Sequence, residues 1–257
     1  MDSIKDFGDQ FKRHQDISGF WGSAEMLIKS VYPFDLKNIK NKEICEVGSG
    51  SGRFLKNFLE YNPKSITAVD PATSIEIAKK NNPGKNIKFL QLDSTKMDLN
   101  DKFDYVFSIG VIHHIPEAQD AVKNIYNSLK NEGEFIMWVY GYENNKIYVY
   151  LFNNLRKILS RLPDFIVEIF SFIFTLTTYI YIFFCKFIDL PLKKYFLNIF
   201  SKFSFKHKFY VIFDQLNPKY SKYYKKAEVE KLLIDANFKI LNIHHRDEYS
   251  WTAIAKK

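Results

Sequence analysis

The sequence predicts an α/β fold built on a parallel sheet, and three observations carry that reading. Short apolar runs alternate with helix-length amphipathic segments, a turn with three glycines follows the first run, and one aromatic segment interrupts the rhythm after the fifth strand. Strands alternating with helices at this spacing indicate parallel pairing with crossover helices on both faces.

Residues 1–40 space Phe7, Phe11, Ile17, Phe20, Trp21, Met26, Leu27, Val31 and Tyr32 at helix-like intervals. They predict one or two helices lying over the ligand cleft, with Trp21 as core packing. Ile44–Val47 is the first strand, followed by a helix around 52–61. Ile66–Asp70 is the second strand, followed by a helix over 73–81 and an Asn-Pro-Gly turn at 82–84. The third strand is Ile87–Asp93, the fourth Phe103–Ser108, and a helix covers about 117–130. Asn131-Glu132-Gly133 turns the chain into the fifth strand, Glu134–Tyr140. After residue 222 the pattern resumes with a helix at Ala227–Ile234 and strands at Phe238–His244 and Tyr249–Ala255. Only Arg246-Asp247-Glu248 separates those two strands closely enough to predict antiparallel pairing.

Composition bounds the rest. At 257 residues and 46% hydrophobic, the chain can bury a sizeable core and form one domain plus an elaboration. Cys45 and Cys185 sit in apolar runs without metal-ligand spacing, so neither a disulfide nor a metal is expected. The N-terminus carries charges where a signal peptide needs an apolar run, so export is not expected. The net charge of +8 is local: residues 145–222 hold 12 Lys/Arg against 4 Asp/Glu, and the remainder is balanced.

The stretch Glu46-Val47-Gly48-Ser49-Gly50-Ser51-Gly52 lets a ligand approach bare backbone, because glycine has no Cβ and accepts positive φ. Dinucleotide binders carry G-x-G-x-x-G at this place. Here the spacing is G-x-G-x-G, with Asp70 ending the second strand and Asp93-Ser94 ending the third.

At these residues the chain resembles the class I S-adenosylmethionine-dependent methyltransferases, over about residues 40–142 and 225–257. The resemblance implies a Rossmann-like seven-stranded sheet, mainly parallel, with an antiparallel last strand. It implies S-adenosylmethionine as cofactor and S-adenosylhomocysteine as product. Carried over by position, Gly48, Ser49 and Gly50 would meet the methionine part, with Glu46 anchoring the turn. Asp70, next to Pro71, would hold the ribose hydroxyls; Asp93 and Ser94 would meet the adenine; Ser108 and Ile109 would line the cofactor.

On the acceptor side, Ile112-His113-His114-Ile115-Pro116 follows the fourth strand. Base N-methylating enzymes usually carry Asn/Asp-Pro-Pro-aromatic here, and no Pro-Cys nucleophile is present, so nucleic acid is not expected as a partner. The His-His version resembles members acting on small molecules. Methyl transfer from a sulfonium is an in-line displacement in which orientation supplies about 7–11 kcal/mol of the barrier. A general base adds roughly 10²–10⁴-fold, and His113 or His114 is the candidate base for a hydroxyl acceptor. Tyr140, Tyr220 and Trp251 are the expected pocket walls.

The insertion at 145–222 contains 17 consecutive uncharged residues, Ile169–Cys185. As a helix that run is about 25 Å long, against about 30 Å of bilayer hydrocarbon. A single span fails, because the last two strands must rejoin the sheet. The run is expected either as the buried centre of a helical cap or as a segment dipping into one leaflet. Ile147, Leu151, Leu155, Ile158 and Leu162 form one flanking apolar stripe; Leu192, Tyr195, Phe196, Ile199, Phe200 and Phe203 form another, with lysines opposite.

The sequence therefore predicts a cytoplasmic methyltransferase with a catalytic domain at 41–144 and 223–257, peripheral on the inner face of a membrane if 145–222 touches it. The expected reaction is O-methylation of a small-molecule or lipid-like acceptor, with an anionic membrane surface as the further partner. Two alternatives stand beside it: an RNA methyltransferase whose basic insertion grips phosphate, and a cofactor-binding module without turnover.

Overall fold

A computed structural model describes residues 8, 9, 13, 15–84 and 86–257; the predicted positions Phe7 and Phe11 lie outside them. Seven strands form one sheet in the order β3-β2-β1-β4-β5-β7-β6. They are β1 Glu43–Val47, β2 Ser65–Asp70, β3 Ile87–Gln91, β4 Phe103–Ile109, β5 Leu129–Tyr140, β6 Lys239–Arg246 and β7 Ser250–Lys256. Strands β1 to β5 pair in parallel, and β7 runs antiparallel between β5 and β6. The helices of the frame are α1 Ala24–Val31, α2 Leu55–Leu59, α3 Ser74–Asn81, α4 Ala118–Ser128 and α9 Lys226–Ile234.

The predicted turn at Asn131–Gly133 is a bulge inside β5. Phe103 pairs with Leu129 and Tyr105 with Glu134, so the extra residues loop out, with Glu132 at φ 64°. The helix predicted at 52–61 shrinks to α2, because Gly52 is held at φ 74°.

Alternation along β5 sorts the two faces. Phe135, Met137 and Val139 join Cys45, Val106 and Ile125 of α4 in one core; Ile136 and Trp138 join Phe58 of α2, Phe107 and the insertion's Phe200 and Phe213 in the other. The insertion therefore extends only the second face.

That insertion is four helices: α5 Lys146–Leu159, α6 Asp164–Cys185, α7 Lys193–Asn198 and α8 Phe205–Leu216. It leaves and rejoins the frame at one neck, where Gly141 bridges Tyr224. There the Tyr142 amide donates to the Tyr224 carbonyl at 2.9 Å, and the Tyr224 amide donates to Tyr140 at 2.8 Å.

On α5 the apolar stripe points outward: Ile147, Leu151 and Ile158 are exposed, while Arg156 is buried. The Arg156 guanidinium donates to the Gln215 carbonyl at 2.8 Å, to Asn153 at 3.2 Å and to the Tyr223 hydroxyl at 3.2 Å, which satisfies it without a carboxylate. The run at Ile169–Cys185 is largely exposed, which departs from the buried centre of a cap, one of the two placements its sequence leaves open. Within it the buried residues are the small ones, Ser171, Thr175, Thr178 and Cys185, and the contact with α8 is close. The hydroxyls are satisfied by carbonyls of the preceding turn, from Val167, Ser171 and Thr175 at 2.6–2.7 Å. By contrast, Ile199, Phe200 and Phe203 of the other stripe pack inward.

The insertion's charge is also less free than its composition implies. Lys194 pairs with Glu248, Lys202 with Glu25, Lys206 with Asp16 and Lys222 with Glu228. Carboxylates from the frame thus neutralise much of the local excess, although these exposed pairs add little stability.

Candidate active site

The turn after β1 is held by its own backbone. The Gly48 and Ser49 amides both donate to the Val69 carbonyl, at 2.7 and 3.1 Å, and the Gly50 amide donates to the Asp70 carboxylate at 2.9 Å. Gly48 lies at φ 77°, and a Cβ there would stand 2.3 Å from a Val111 methyl. Both conformation and space therefore demand glycine.

Asp70, at the end of β2, is the brace of this turn. Besides Gly50 it accepts from the Ala72 amide and the Ser74 hydroxyl, each at 2.9 Å. A carboxylate has about four acceptor positions, so one remains for a ligand. Burial raises its pKa, opposed by those three donors. Asp93 caps the short turn after β3, accepting from the Thr95 amide and hydroxyl at 2.9 Å.

These groups line one cavity of about 600 Å³ at the carboxyl edge of the sheet. Gly48, Ser49, Gly50, Asp70, Pro71, Asp93, Ser94 and Ile109 of the predicted set lie in its wall, together with His114 and Tyr140. Open α/β sheets place ligands at this edge. Ser108 and Glu46 do not reach the wall. Ser108 is fully buried, and Glu46 is buried beneath the turn with one carboxylate oxygen unpartnered among the described residues. Burial raises the Glu46 pKa to about 8, against the pull of the nearby Arg53 cation.

The two histidines separate. His113 is fully buried, stacks on Tyr140 at 3.8 Å between ring centroids, and is absent from the cavity wall. His114 lines the cavity, and its Nδ1 lies 3.2 Å from the Tyr220 carbonyl. A carbonyl can only accept, so Nδ1 carries the proton and Nε2 is the basic nitrogen. Burial lowers both histidine pKa values, keeping the rings neutral.

Of the predicted walls, Tyr140 lies in the cavity wall. Its hydroxyl donates to Asp214 at 3.2 Å and accepts from the Gln215 amide at 2.7 Å. Tyr220 contributes its carbonyl to His114 rather than its ring to the cavity. Trp251 is misplaced: it pairs with Val139 in the β5–β7 ladder and so shares that residue's face, opposite Trp138. Its indole donates to the Tyr224 carbonyl at 3.1 Å.

Sequence reasoning missed Arg53, Tyr210 and Asp214, and it assigned Trp21 to the core; all four line the cavity. Arg53 lies 4.0 Å from the Trp21 ring centroid and 4.4 Å from that of Phe54, with Nη1 unpartnered among the described residues. Burial lowers its pKa to about 10. Its position directly after the glycine turn was the available signal.

A second chamber of about 500 Å³ lies behind Trp138 and Tyr140, which line both spaces. Its other walls are mostly aliphatic and aromatic, among them Tyr148, Phe152, Phe174, Leu192 and Tyr195.

The strand order with one reversed strand, and a glycine-turn cavity at the carboxyl edge, define a class I methyltransferase fold. Residues 45–137 match the family model described as a methyltransferase domain, and the fold is that of the class I S-adenosylmethionine-dependent methyltransferases. A tRNA U34 carboxymethyltransferase of Helicobacter pylori is 31% identical over 126 residues, 43% of this chain and 43% of that protein. The like-named protein of Nautilia profundicola is 34% identical over 104 residues, 39% of this chain and 35% of that one. The chain thus spans less than half the length of these curated relatives. The 1,6-didemethyltoxoflavin-N1-methyltransferase of Burkholderia thailandensis shares the fold with a TM-score of 0.54 and 14% identity, over 99% of this chain and 84% of that one. One expectation is overturned: nucleic acid cannot be set aside as a partner when the curated relatives are named for tRNA.

Proposed function

We propose that this chain is a cytoplasmic S-adenosylmethionine-dependent methyltransferase acting on RNA. The carrying observation is the single cavity that joins the glycine turn, Asp70 and Asp93 at one end to His114, Tyr140 and Asp214 at the other. The residues fit the cofactor. The cradle at Gly48 has no room for a Cβ, Asp70 keeps one acceptor position for a ribose hydroxyl, and Asp93 lies in the wall for the adenine. When bound, S-adenosylmethionine supplies an electrophilic methyl on a sulfonium.

The chain's own residues then align and deprotonate the acceptor. His114 takes the proton on Nε2 while Nδ1 stays anchored to Tyr220. The Tyr140–Asp214 pair fixes the facing wall. The RNA reading is supported by the names of the relatives and by the exposed Lys96 at the cavity rim, placed to meet a phosphate. For those relatives the name specifies a carboxymethyl group; for this chain we propose methyl, the group named by the family model.

The apolar second chamber favours a second reading, a lipophilic acceptor bearing a hydroxyl. One experiment separates the two. The protein is incubated with methyl-labelled S-adenosylmethionine and either total tRNA or a total lipid extract. Label in tRNA supports the first reading and label in lipid the second. Labelling of neither, with tight S-adenosylhomocysteine binding retained, would leave a binding module without turnover.

A further inference from the structure

Helix α6 is inside out. Its buried residues are Val167, Ser171, Thr175, Thr178 and Cys185, while Ile169, Phe172, Ile173, Leu176, Ile180 and Phe183 are each about half exposed. The outward positions recur at helical spacing and form one apolar stripe along about 21 Å of helix, at 1.5 Å per residue. Most of the exposed large hydrophobic side chains among the described residues lie between 147 and 188, on α5 and α6. A patch of this kind marks a surface that meets another apolar phase.

We propose that this face lies flat in the headgroup–acyl boundary of an anionic lipid bilayer. Three observations favour a bilayer over a second copy of the chain. Lys157 and Arg161 before α6 and Lys186 after it are exposed, and none pairs with a carboxylate among the described residues. Cations flanking an apolar face suit anionic headgroups, whereas two-fold self-pairing would bring like charges together. The second chamber has Ile147, Leu151 and Thr177, all exposed, in its wall, so its rim belongs to the same face. Finally, along the chain α6 falls between β5 and the β6–β7 pair of one sheet, and no other described helix is long and apolar enough to provide a return crossing. A flat-lying helix meets that constraint and a span does not. The inference does not depend on which acceptor is used.

Flotation tests it, with vesicles of phosphatidylcholine alone or mixed with phosphatidylglycerol. The expected result is flotation with the mixed vesicles, weakened but not abolished by salt. The double substitution Leu176→Glu, Ile180→Glu is expected to lower partitioning at least about tenfold, with thermal midpoint and S-adenosylhomocysteine affinity unchanged. Three results would overturn the proposal. One is the protein staying at the bottom with mixed vesicles at low salt. Another is the double variant floating as well as the parent. The third is a dimer by light scattering that the double substitution converts to monomer, which would assign the face to a second copy.

Discussion

His114 is anchored by the backbone of Tyr220, whose carbonyl oxygen lies 3.2 Å from Nδ1. The anchor is a main-chain atom, and the neighbouring loop is pinned in turn by the Lys222 amide donating to the His113 carbonyl at 2.8 Å. His114→Gln is therefore expected to lower kcat by roughly 10²–10⁴-fold, with cofactor affinity unchanged. Tyr220→Ala should leave kcat near that of the parent, because it keeps the carbonyl. His113→Ala should lower thermal stability, with the folded fraction still active. Single-turnover rates beside melting curves distinguish these outcomes.

The same ring sets an acid limit. Burial holds the His114 pKa below its ordinary value, so the neutral, proton-accepting form persists to lower pH. The acid limb of kcat/KM is expected below pH 6.5, the ordinary histidine value, and should vanish in His114→Gln.

Glu46 predicts a pH dependence of stability. Its folded pKa is raised to about 8 from 4.5, so the folded state holds a proton that the unfolded chain releases between those values. Stability is full below the unfolded pKa and is lost as pH rises through about 8, at up to about 1.4 kcal/mol per pH unit. Denaturant melts between pH 5 and 9 should show this decline, and Glu46→Gln should flatten it.

Arg53 counteracts that burial. Its cation is the one influence lowering the Glu46 pKa, so Arg53→Met should move the Glu46 midpoint further up. Stacking on Trp21 should also be lost, a contribution of about 0.5–2 kcal/mol. Repeating the pH series on this variant reads both effects.

Gly48→Ala should abolish S-adenosylhomocysteine binding as measured by calorimetry. Adding Val111→Ala removes the 2.3 Å clash but leaves the alanine at φ 77°, so recovery should be partial.

Much of this was legible in advance, for reasons that also explain the failures. Local periodicity and the glycine turn are short-range signals, so all seven strands and the positions of Asp70 and Asp93 could be read from the sequence. Face assignment needs register: Trp251 faces away from the cavity because it pairs with Val139, and pairing partners are not local. The insertion is less legible: an apolar stripe does not say which side it faces, and on α5 it faces out while Arg156 goes in, satisfied by neutral oxygens of Gln215, Tyr223 and Asn153. Arg53 was missed because its place after the glycine turn is the only local signal, while its neighbours Trp21 and Asp214 come from distant parts of the chain.

The neck at Gly141 and Tyr224 has a consequence for descent. The chain departs and returns at adjacent positions, so everything between them could be shortened, lengthened or exchanged without re-laying a single strand. A lineage built this way can inherit its donor chemistry unchanged while trading one clientele for another by recombination at two points. Relatives that match little beyond the cofactor half are what such a history would leave behind.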